Sequence, residues 1–107
     1  MNMVFQVKFS QQAARDLSDV IKYISDVLCN PDAAERFYGE VGKRLNLISE
    51  NPYMYPLSRD ERLKADGNRA AVIGNYLLFY LIDETNALAY ITRVVYGKRD
   101  ITALHEE

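Results

Sequence analysis

Met3, Phe5, Val7 and Phe9 alternate with Val4, Gln6 and Lys8. That period of two, carried by aromatic and β-branched residues, predicts a half-buried strand. Ser10 follows as a helix N-cap, because its oxygen can accept from an orphan backbone N–H. From there the period changes. Ala13, Ala14, Leu17, Val20, Ile21, Ile24, Val27 and Leu28 fall at three- and four-residue steps, with Arg15, Asp19, Lys22 and Asp26 opposite them. One apolar stripe on a long helix is the simplest reading. Asn30-Pro31 ends it and opens a second helix, since proline disfavours helical backbone before it and fits a first turn. That helix carries Ala34, Phe37, Val41, Leu45 and Ile48 on one stripe and stops at Asn51-Pro52. So short a link predicts an antiparallel helical hairpin.

Residues 52–68 are polar and irregular and read as the longest loop. Arg69 to Ile73 is a short apolar run, and Gly74-Asn75 is a hairpin signal. Tyr76 to Ile82 is apolar on both faces and so predicts a central, doubly covered strand. Asp83 to Asn86 forms the next turn, Leu88 to Tyr96 the last strand, and Gly97 breaks it before a polar tail. The expectation is an α+β fold. An N-terminal strand precedes an antiparallel helical hairpin, which packs on one face of an antiparallel β-sheet and leaves the other face open. The pattern does not say which strand the first one joins.

The 107 residues suffice for a single domain, 1–107, with one core. The lone Cys29 makes no internal disulfide and suits a reducing, cytoplasmic setting. No leader-like or membrane-spanning apolar run is present, so no membrane partner is expected. Charge is balanced along the chain. Residues 1–58 hold six Lys/Arg and seven Asp/Glu, and residues 59–107 hold seven and eight. Neither half has the basic excess with which proteins usually grip phosphate backbones. One His and one Cys far apart make no metal site, and no glycine-rich phosphate loop exists, so no metal and no cofactor is expected.

Three groups could carry function. Arg93, Lys98 and Arg99, with Arg69 upstream, are cations able to hold a phosphate or a partner's carboxylates. Arg93 stands in phase with Ile91 and Val95, facing either the open sheet surface or a buried acid. Against the functional role, Arg93 pairs with a structural carboxylate and Lys98-Arg99 is a solvated turn. Tyr76, Tyr80, Tyr90 and Tyr96 offer interface rings, or ordinary cross-strand packing. His105 is a general acid or base, or a solvated tail residue.

Several segments together resemble the RelE/ParE superfamily of bacterial toxins. They are Ala13 to Leu17, Asn30-Pro31-Asp-Ala-Ala, Asn51-Pro52-Tyr-Met-Tyr-Pro56, Val72 through Tyr80, and Arg93-Val-Val-Tyr-Gly-Lys-Arg-Asp100. The resemblance implies the toxin half of a type II toxin–antitoxin module, neutralised by a cognate antitoxin in a hetero-oligomer. ParE-like members poison DNA gyrase, and RelE-like members cut mRNA on the ribosome. For a nuclease the resemblance implies basic residues before the hairpin, an Arg after the tyrosine of the next strand, an Arg after Gly-Lys, and a Tyr or His in the tail. Arg69 stands alone for the first group, Arg99 matches the third place and His105 the last, with Tyr80 a further proton carrier, but Leu77 stands where the second Arg belongs, so about half the set is missing. That gap and a pI near 5.4 favour the ParE-like reading. Arg93, Tyr96, Lys98 and Arg99 are then the target-binding set. An inactive interaction module that keeps the fold is the third reading.

Overall fold

The computed structural model describes residues 4–97. Lys98, Arg99 and His105 lie outside them. Strand β1 (Gln6–Phe9) leads into helix α1 (Gln11–Lys22), which passes into a π-helical turn (Tyr23–Val27). Helix α2 (Pro31–Glu50), a short helix α3 (Glu61–Ala65), and strands β2 (Arg69–Ile73), β3 (Tyr76–Asp83) and β4 (Leu88–Tyr96) complete the chain. Ser10 caps α1 by accepting from the Ala13 N–H at 2.9 Å, and Asn30 caps α2 by accepting from the Ala33 N–H at 3.1 Å. No helix among the described residues is long and apolar enough to cross a membrane.

The sheet order is β1-β4-β3-β2. The meander β2-β3-β4 is antiparallel, as the pattern predicts, but β1 joins the β4 edge in parallel, so the sheet is mixed. The direction follows from the path of the chain. The end of α2 returns to the start of β1, where the Phe5 N–H donates to the Ser49 carbonyl at 2.9 Å and the Ser49 hydroxyl to the Phe5 carbonyl at 2.6 Å. A three-strand meander starting from that end finishes with its third strand running along β1.

Gly74, at φ +61°, turns β2 into β3 at no steric cost. The main core lies between the hairpin and the sheet and includes Ala13, Val41, Ile48, Ile73, Leu78, Tyr80 and Ile91. The opposite face is not left open along its length. Leu77 and Phe79 are buried there beneath Leu63 of α3, with Ala70 and Val95 alongside. Asp60 caps α3 by accepting from the N–H groups of Arg62 and Leu63, which fixes this cover within the stretch read as loop.

Two further departures matter for the surface. The apolar stripe of α1 does not continue to Leu28. In the π turn the Leu28 N–H reaches back to the Tyr23 carbonyl, and the wider winding leaves Val27 65% and Leu28 54% exposed. The outer edge of β2 is covered by the chain itself. Ser58 N–H donates to the Asn68 carbonyl, Ala70 N–H to the Pro56 carbonyl, and Arg44 to the Val72 carbonyl.

Candidate functional site

Strand β4 has nine residues, but β1 pairs only with Leu88 to Ile91. Beyond Ile91 its edge is held by α1. Ser10 donates from its backbone N–H to the Ile91 carbonyl and from its hydroxyl to the Thr92 carbonyl. One turn and a half on, Asp16 accepts from the Val94 N–H at 3.0 Å. The same carboxylate takes Arg93 in a forked pair, Nε at 2.7 Å and Nη2 at 3.2 Å, and Gln12 at 2.9 Å. Burial alone would raise the Asp16 carboxyl. The hydrogen bonds from Arg93, Val94 and Gln12 outweigh it and hold the group below its ordinary value of 3.8. Arg93 therefore meets a structural acid, yet its side chain stays 46% exposed and remains presented at the surface.

The register of Arg93 differs from the simple alternation. A bulge places Phe79 opposite Arg93 but Tyr80 opposite Ile91, so Thr92 is the extra residue. Its hydroxyl donates to Oδ1 of the buried Asn68 at 2.7 Å. Ile91 and Val94 consequently face the hairpin, whereas Arg93 shares the opposite face with Val95. Tyr96 returns to the hairpin face, 68% exposed, and stacks edge-on to Tyr76 at 5.4 Å. Arg93 and Tyr96 thus emerge on opposite faces of the end of β4 that β1 leaves unpaired.

Arg69 and Tyr80 are brought together as register partners on β2 and β3, away from Tyr96. Both serve the 52–56 loop. Arg69 Nη1 donates to the Tyr55 carbonyl at 2.6 Å, and its guanidinium lies 5.1 Å from the centre of the Tyr53 ring. Tyr80 is fully buried and its hydroxyl donates to the Pro52 carbonyl at 2.7 Å. Burial pushes that phenol up to about 12. Tyr80→Phe should leave the Pro52 carbonyl unpaired and cost about 1–2 kcal/mol, read from the urea midpoint. Tyr90 lies on the face away from the hairpin and is partly exposed.

The sequence reading missed Asp16 and α3. Asp16 sits between Ala13 and Leu17 within the apolar stripe, and a carboxylate there signals a buried partner. The signal for α3 is Asp60 ahead of five helix-compatible residues.

The hairpin itself presents an apolar groove of about 620 Å³, walled by Phe9, Ala14, Leu17, Ile21 and Tyr38. It runs along the outward side of α1, whose other side is spent on β4.

A protein-family model described as the ParE toxin of type II toxin-antitoxin system, parDE, matches residues 7–101. Among solved structures, the chromosomal ParDE toxin–antitoxin system from P. aeruginosa superposes with a TM-score of 0.70 at 14% identity, covering 89% of this chain and 98% of that one. The toxin-antitoxin complex RelBE2 from Mycobacterium tuberculosis gives 0.61 at 26% identity, covering 88% and 92%. An archaeal RelE-RelB complex from Pyrococcus horikoshii gives 0.57 at 15% identity, covering 91% and 99%. No curated protein matches the chain.

Proposed function

The chain belongs to the ParE toxin family of type II toxin–antitoxin systems, and from that premise we propose that it arrests growth by binding DNA gyrase, with no bond-making of its own. The observation that supports this most directly is Leu77. It occupies the place where a ribonuclease of the superfamily would present an arginine, and it is 2% exposed beneath Leu63. A neutral, covered side chain there offers nothing to a phosphorane. Arg69 and Tyr80 are engaged in holding the 52–56 loop, and Tyr80 has no surface with which to move a proton to a substrate.

The target surface is then the free end of β4, with Arg93 and Tyr96 and, beyond the described residues, Lys98 and Arg99. Arg93 suits such a role because Asp16 fixes its Nε while part of the guanidinium faces solvent. A preorganised arginine loses less freedom on binding than a loose one. The cognate antitoxin lays an apolar helical face into the groove over Leu17 and Ile21, since an open apolar channel between polar rims fits that mode of recognition.

Induced expression in bacteria tests the target. Thymidine incorporation should fall within minutes while amino-acid incorporation continues, and co-expression of a cognate antitoxin should restore growth. Arrest of translation first would overturn the gyrase reading in favour of RNA cleavage. No arrest at all would identify an interaction module that keeps the fold.

A further inference from the structure

A second groove, of about 680 Å³, opens where the π turn meets the end of the sheet. It is separate from the channel along Leu17 and Ile21. Ile24 and Leu28 contribute apolar surface, and Tyr23, Tyr76 and Tyr96 supply three aromatic rings. Asp19 is the one formally charged residue among the described lining residues, and its carboxylate has no hydrogen-bond or ion-pair partner among the described residues. The phenols converge. Tyr76 and Tyr96 stack at 5.4 Å, and the Tyr76 hydroxyl is raised above its ordinary value by burial and then by the phenols of Tyr23 and Tyr96.

Ring faces carry negative quadrupole density, so several tyrosines beside an unpaired carboxylate favour a cation with a slim apolar stem. The volume is larger than one such side chain fills, and the remaining surface is aliphatic. A small free cation would be touched by the tyrosines and leave that surface bare. A polypeptide would cover both. We propose that this groove receives a lysine or arginine of a partner polypeptide, its head between Asp19 and the tyrosine rings and its apolar neighbours on Ile24 and Leu28. The π turn is what makes the site, because the wider winding that exposes Leu28 also leaves Tyr23 at the rim. The inference stands on the lining residues and does not depend on which enzyme the toxin arrests.

The full chain, carrying ring-labelled tyrosine, is titrated with acetyl-Ala-Leu-Arg-Leu-Ala-amide and followed by NMR. The control is the same peptide with citrulline, which keeps the shape and removes the charge. The Tyr23, Tyr76 and Tyr96 signals should shift and saturate with the arginine peptide. The citrulline peptide should bind about fivefold more weakly, Asp19→Asn should weaken arginine binding about threefold, and Tyr96→Ala about tenfold, in the range of cation–π and exposed ion-pair contributions. Asp19 and Tyr96 are exposed, so both variants should keep the dispersed spectrum of the parent. Equal binding of the two peptides would overturn the proposal, as would ring signals that neither peptide moves. Ring signals that ignore both peptides but shift in Lys98→Gln or Arg99→Gln would overturn it in favour of the chain's own tail as the occupant.

Discussion

Asp16→Ala should destabilise the fold by about 2–3 kcal/mol, more than the removal of its partner by Arg93→Ala, which should cost about 1 kcal/mol. The asymmetry comes from what each deletion strands. Without Asp16, the Val94 N–H loses its acceptor on a buried strand edge, and Arg93 loses both arms of its fork. Without Arg93, the carboxylate still accepts from Val94 and Gln12. Arg93 is partly exposed, so its share of the pair is weakened by solvent. Urea titrations with unchanged slope measure both values, and the reverse order would sink this account of the β4 edge. The pH dependence has a definite sign. The folded-state value of Asp16 lies below 3.8, so its contribution is fully present above that value and is lost as pH falls through the lower, folded one. Parent protein should therefore lose stability relative to Asp16→Asn on acidification below about pH 4.

Leu77→Arg should cost about 3–5 kcal/mol and yield no ribonuclease. The substitution supplies the residue that RelE-like nucleases resemble one another in carrying, at a place where this fold cannot present it. It forfeits the burial of a leucine, worth about 1.5–3 kcal/mol, and forces a guanidinium under Leu63. Thermal unfolding followed by circular dichroism reads the loss, and primer extension on ribosome-bound mRNA reads cleavage. A folded Leu77→Arg protein that cuts message would overturn the view that burial of position 77 closes this face to RNA.

Most of the fold is legible in the sequence because its elements are locally specified. The bounds of β2 and β4 follow from apolar runs between Asn68, Gly74 and Gly97, and those of α2 from Asn30-Pro31 and Asn51-Pro52. Helix α3 and the π turn are local features that the reading passed over, and the other failures involve long-range choices. Nothing in Met3 to Phe9 encodes a parallel partner, because an alternating strand can add to either edge in either sense. The bulge at Thr92 is satisfied by Asn68 and cannot be read from Thr92 alone. The π turn interrupts an apolar period that is uninterrupted in sequence. The candidate site is legible as residue types and less so as geometry. Arg93 and Tyr96 do mark the free end of β4, but the acid that orients Arg93 sits 77 residues away on a helix. Arg69 and Tyr80 are polar groups whose loop partners are backbone carbonyls, invisible to any reading of side-chain chemistry.

The cover over β2 limits how copies of this chain can meet. A bare strand edge offers unpaired donors and acceptors to any other chain, and copies of the same protein are the nearest candidates. Here residues 56–58 and Arg44 occupy that edge before another copy can. Self-association into extended sheet is therefore discouraged at this side even when no antitoxin is bound. The groups that would template another strand at β2 are spent within the chain itself, so closure of this edge asks nothing of a partner.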